Sequence, residues 1–109
     1  MKTKCSFCIR IKLHNKIGAE IKDGYVERVG ERFYGYDKRL NYWCITDCDT
    51  GLLINKFPKL KDCQEYIKEQ SLRIEQFCKN RKFDSDDEKF NRAVAVIKYE
   101  KETNQCSQS

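Results

Sequence analysis

The stretch CSFCIRIKL, residues 5 to 13, alternates. Phe7, Ile9, Ile11 and Leu13 share one parity; Cys8, Arg10 and Lys12 take the other. Successive strand side chains point to opposite faces, so this is a half-buried strand. His14-Asn15 reads as a turn, and Ile17, Ala19 and Ile21 resume the alternation. Asp23-Gly24 then has the composition of a two-residue hairpin, with Tyr25 to Val29 returning. Gly30-Glu31 offers a second tight turn, Arg32 to Tyr36 an aromatic strand, and Asp37 to Leu40 a polar connection. Asn41 to Asp47 is the most strand-like run, because Tyr42, Trp43, Ile45 and Thr46 all favour strands. Cys48 to Gly51 turns and Leu52 to Phe57 returns.

After Pro58 the period changes from 2 to 3.6. Leu60, Cys63, Ile67, Ile74 and Phe77 form one helical stripe, assisted by Tyr66 and Cys78. The cations of Lys79-Asn80-Arg81-Lys82 suit a helix C-terminus. Ser85-x-x-Glu88 is a capping box, reinforced by Asp86 and Asp87, and Phe90, Ala93, Val94 and Ile97 make a second stripe. Strands first and helices after predict an α+β fold. The expected form is an antiparallel meander of about four to six strands, with two amphipathic C-terminal helices packed on one face. Residues 1–102 would form the single domain and 103–109 a flexible tail.

A chain of 109 residues supports one domain with a modest core. No apolar run approaches the roughly 18 residues of a membrane helix. The start, MKTKCSFCIRIKL, is too charge-interrupted for a secretion signal and lacks a small-residue cleavage site. Seven cysteines, an odd number with no such signal, read as reduced thiols in a cytoplasm. The net charge is +5, and Lys2, Lys4, Arg10, Lys12 and Lys16 stand in the first 16 residues without an acid. That face could attract nucleic acid or an acidic protein, or it could be a solvated strand face.

Asp47-Cys48-Asp49-Thr50-Gly51 could carry chemistry. Phosphatases of the haloacid-dehalogenase type use D-x-D-x-T after an apolar strand. Here Thr and Gly are transposed, and the chain is short for that family's core. A calcium loop fails because Gly51 stands where an oxygen ligand belongs and position twelve is Pro58. A hairpin turn needs only Asp and Gly, and is the expected reading. Cys5-x2-Cys8 and Cys44-x3-Cys48 could bind structural zinc, but Cys5 and Cys8 would face opposite ways on a strand. A cysteine nucleophile would have to use His14, the only histidine. No catalytic residue, cofactor or metal is therefore assigned, and a non-enzymatic protein is expected. Aromatics and cations interleave through Arg28, Arg32, Tyr34, Tyr36, Lys38, Arg39 and Tyr42, a pattern that suits a protein-binding face, nucleic-acid contact or a core with cations outside.

The stretch YWCITDCDTGLLINKFPKLKDCQEYI resembles a recurring unit of small phage and mobile-element proteins: a hairpin of the form YW-x-[VI]-T-x-x-x-TG-x-x-I, a short connection, then a helix opening LKD. It covers about a quarter of the chain. In size and mixed charge the chain is also similar to phage-encoded inhibitors of host defence, anti-CRISPR proteins among them. This resemblance implies a binding protein of the host bacterial cytoplasm. Its partner would be a larger protein or ribonucleoprotein effector, inhibited by steric occlusion; the resemblance carries over no residue, and the contact face expected from the interleaved pattern alone is Arg28, Arg32, Tyr34, Tyr36, Lys38, Arg39 and Tyr42. The basic N-terminal strand departs from the acidic DNA mimics of that group. One alternative is a small basic nucleic-acid-binding protein using Lys2, Lys4, Arg10 and Lys12. Another is a structural zinc domain using Cys5, Cys8, Cys44 and Cys48.

Overall fold

The computed structural model describes residues 2–79 and 85–107. Five strands are followed by two helices: β1 (Thr3–Leu13), β2 (Lys16–Val29), β3 (Arg32–Arg39), β4 (Tyr42–Asp47), β5 (Leu53–Phe57), α1 (Leu60–Lys79) and α2 (Ser85–Ser107). The strands form one antiparallel meander in the order β1-β2-β3-β4-β5, so the α+β architecture is the expected one. Two-residue turns join the first four strands. Gly30 takes φ +66° in the second, while His14 (φ 51°) and Leu40 (φ 53°) open the first and third without the freedom of glycine.

Asp23-Gly24 does not turn. β2 runs through it, pairing with β1 from Lys16 to Val26 and with β3 from Tyr25 to Val29. Gly24 does not take a positive φ; it sits where a Cβ would run into the carbonyl of Tyr36. The missing side chain permits close approach of two strands, and the count falls to five. Asp37 is likewise a strand residue, not a connection: it pairs with Cys44 and is buried.

The sheet curls. Phe7 and Ile9 of β1 are buried, and the Phe7 ring lies so close to Gly35 that a Cβ there would meet it at 2.6 Å. Further along β1, the Arg10 amide donates to Gly51 O at 2.9 Å, so one edge strand reaches the turn beside the other edge. The opposite parity of β3 and β4 carries Tyr34, Tyr36 and Ile45, which pack with Cys63, Ile67 and Ile74 of α1. The three isoleucines of this cluster, Ile45, Ile67 and Ile74, stabilise the domain by roughly 1.5–3 kcal/mol each before ordering costs. Phe77, expected in that stripe, is 66% exposed.

α2 lies beside β2, and its Phe90 is buried against Gly51 and Arg10. It begins at Ser85, where the capping box places it, and runs through Ser107, so residues 103–107 of the expected tail are helical. Asn80, Arg81 and Lys82 lie outside the described residues, as does the side chain of Cys78. Among the described residues, no helix is long and apolar enough to cross a membrane.

Candidate functional site

The β4–β5 turn is a structural hub. Asp47 ends β4 fully buried. Arg32, across the β3–β4 pair, grips its carboxylate with Nε to Oδ1 at 3.1 Å and a terminal nitrogen to Oδ2 at 2.6 Å. The Thr50 hydroxyl donates to the same Oδ2 at 2.7 Å, and the Gly51 amide to Asp47 O at 2.7 Å. Gly51 adopts φ +71°, and any Cβ there would strike the Phe90 ring. Arg10 closes the arrangement from β1. Its Nε donates to Thr50 O, its guanidinium pairs with buried Asp87 of α2, and the same group sits 4.6 Å from the Phe90 centroid. The aspartate, threonine and glycine of ITDCDTGLL are thus spent on turn geometry and on joining β1, β3 and α2. Asp49 is the exposed one, with a side chain 61% accessible and 3.6 Å from Arg32.

The interleaved aromatic and basic residues do not form one face. Tyr34 and Tyr36 are completely buried, which corrects their assignment as surface contacts. α1 covers their side of the sheet, and two rings bury more apolar area there than small side chains could. The Tyr36 hydroxyl donates to buried Glu27 at 3.0 Å; burial first, then Glu27, pushes its pKa well up. Arg32 belongs to Asp47. Arg39 grips buried Asp37 at 2.6 and 3.0 Å, and that hydrogen-bonded pairing raises its pKa. Arg10, expected on nucleic acid, belongs to Asp87. Arg28, Lys38, Tyr42, Lys2, Lys4 and Lys12 remain exposed.

The cysteines divide as well. Cys44 is buried in mid-strand beside Arg39 and Asp37, whereas Cys48 has Cys5 and Cys8 as electrostatic neighbours. Burial, then Asp47 and Asp49, push the Cys48 thiol up to about 12; burial carries Cys63 to about 11. Such thiols are protonated and unreactive at neutral pH. Among the described residues, no cluster of three or more His, Cys, Asp or Glu is arranged to hold a metal. The four-thiolate set is not assembled, because Cys44 stands apart from the other three.

Three concavities stand out among the described residues: one of about 530 Å³ against α2, lined by Phe7, Phe33, Cys48, Phe90 and Val94, and two others. A groove of about 480 Å³ runs between β5 and α1, lined by Leu53, Ile54, Tyr66, Arg73, Ile74 and Phe77. A cleft of about 660 Å³ lies between Lys2, β2 and α1, lined by Tyr25, Glu27, Arg28, Gln64 and Lys68. The sequence carried partial signals for the latter two: Tyr25 and Glu27 share strand parity, Gln64 and Lys68 are one helical turn apart, and Phe77 follows Arg73 by four. Which strand lies under which helix face was the missing information. The chain matches no protein-family model, and no curated protein and no solved structure matches it.

Proposed function

We propose that this chain is a non-enzymatic binding protein of the phage type, an inhibitor that occludes a bacterial defence nucleoprotein effector. The carrying observation is the groove beside β5. That strand is an edge of the sheet, and its Leu53 is 54% exposed next to Phe77 at 66%. An edge strand offers unpaired backbone groups to an incoming chain, and an apolar aromatic anchor with a neighbouring arginine is the composition of an interface hot spot. The contact surface therefore shifts from the interleaved residues Arg28 to Tyr42 of β2, β3 and β4 to Leu53, Arg73 and Phe77. The resemblance of residues 42–67 to mobile-element proteins supports the biological setting.

The test uses the wild-type chain and a Leu53→Lys/Phe77→Lys variant as bait in nuclease-treated bacterial lysate. A stoichiometric partner retained by the wild type and lost by the variant is expected, and the purified wild type should inhibit that partner's activity. Equal retention by both, or retention without inhibition, refutes the reading.

A further inference from the structure

The cleft beside Lys2 is separate from the proposed protein-binding groove. β1 pairing ends at Thr3 opposite Val26, so from Glu27 to Val29 β2 is bordered by β3 on one side and opens on the other. Into that opening come Tyr25 and Glu27 from β2, and Gln64 and Lys68 from successive turns of α1. Arg28 also lines the cleft, and its Nε donates to Gly30 O at 3.0 Å. Lys2 brings its ammonium within 5.6 Å of the Tyr25 ring centroid. Lys2, Arg28 and Lys68 thus line the same cleft as one carboxylate.

The carboxylate is fixed at the floor. Glu27 is buried, accepting from the Tyr36 hydroxyl at 3.0 Å and from the Gln64 amide at 3.4 Å. An anion cannot penetrate that deep without meeting like charge, whereas at the rim it meets Lys2, Arg28 and Lys68. An aromatic ring between a cationic rim and a polar floor is the arrangement that stacks a base and neutralises its phosphate.

We infer that this cleft binds a nucleoside phosphate, with the phosphate on Lys2, Arg28 and Lys68 and the base against Tyr25. The unit can be a free nucleotide or one residue of a single strand; a duplex keeps its bases stacked away from the ring.

The test is fluorescence anisotropy of a labelled single-stranded deoxyadenosine oligomer of about eight nucleotides, within the usual site sizes. Adenosine monophosphate is titrated in parallel, followed through Trp43, whose ring is 6.2 Å from that of Tyr25. One phosphate neutralised at this site predicts a slope of log affinity against log salt near −0.7, or about threefold weaker binding between 50 and 200 mM salt. Arg28→Glu and Lys68→Glu, both on exposed side chains, should each weaken binding about tenfold, while Lys12→Glu on the β1 hairpin should leave it unchanged. Binding of both ligands identifies a nucleotide site, and binding of the oligomer alone a strand site; either supports the inference. No binding at 50 mM salt, or an equal loss in Lys12→Glu, overturns it. Neither outcome bears on the groove at β5, which Leu53→Lys/Phe77→Lys tests separately.

Discussion

Asp47→Asn separates a structural turn from a reactive one. Asp47 has a side chain 1% accessible, and Arg32, its bidentate partner, is 14% accessible. An asparagine keeps the shape and one acceptor oxygen but turns an amide toward the guanidinium. The lost charge leaves Arg32 largely desolvated and unbalanced. Removing one member of a buried pair costs about 3–5 kcal/mol. Arg32 retains some water, and Asp49 can approach from 3.6 Å, so the lower end of that range applies, about 3 kcal/mol. Against a total stability of about 5–15 kcal/mol, that is a large fraction.

Urea denaturation followed by Trp43 fluorescence measures it. With a slope of about 1.5 kcal/mol per molar, reasonable for this size, the midpoint falls by about 2 M. Asp49→Asn is the internal comparison. Its carboxylate is exposed and contributes to an ion pair at the long end of the range, so its midpoint should move by less than about 0.3 M. If both variants leave the midpoint unchanged, the hub does not hold β4 and β5 as described. If Asp49→Asn is the more destabilising, the assignment of roles within the turn is reversed.

Two further outcomes follow from backbone and burial. Leu40 is 95% exposed with φ 53°, a conformation its Cβ disfavours, so Leu40→Asn should stabilise by about 0.5–1 kcal/mol. A rise in Tm of about 3–5 °C is expected by calorimetry, and a fall would show that the leucine makes contacts worth more than the strain. Burial raises Cys63 to about 11 and Cys48 to about 12, above the ordinary thiol value of 9.0. The folded state therefore holds these protons more tightly than the unfolded chain. Their contribution is fully present below about pH 9 and lost as pH rises toward 11–12. Urea midpoints in reductant should decline over that window, less steeply in Cys63→Ala, and identical slopes would exclude the thiol as a cause.

The alternation of Phe7 and Ile9, the turns at His14 and Gly30, the β4–β5 hairpin and the helical stripe through Cys63 and Ile67 were legible because each depends on neighbours within a few residues. Gly24 was misread because glycine has two uses, a positive φ and an absent Cβ, and sequence composition cannot distinguish them. Tyr34 and Tyr36 were misassigned for a related reason. Strand parity separates them from Phe33 and Gly35, but which parity meets α1 depends on a helix 25 to 40 residues away. Asp87 illustrates the limit in the other direction. Its position in the first turn of α2 accounts for it fully as a helix-terminus charge, and nothing local announces that Arg10, 77 residues earlier, will bury against it.

The internal pairing of arginines determines what remains for partners. Arg10, Arg32 and Arg39 each hold a buried carboxylate, of Asp87, Asp47 and Asp37 respectively. Setting aside these three neutral pairs leaves 22 − 3 = 19 cations and 17 − 3 = 14 acids, the same excess of five. The charge a partner meets is therefore weighted toward lysine, a point charge that attracts phosphate without fixing its orientation. Among the described residues, the exposed arginines are Arg28, Arg73 and Arg92. Arg28 lines the cleft at Lys2, and Arg73 lines the groove at β5. The planar fork that gives geometric specificity thus lines both of these concavities, with Tyr25 in one and Phe77 in the other. Diffuse lysine charge can speed encounter with any anionic partner, but it does not by itself select among them.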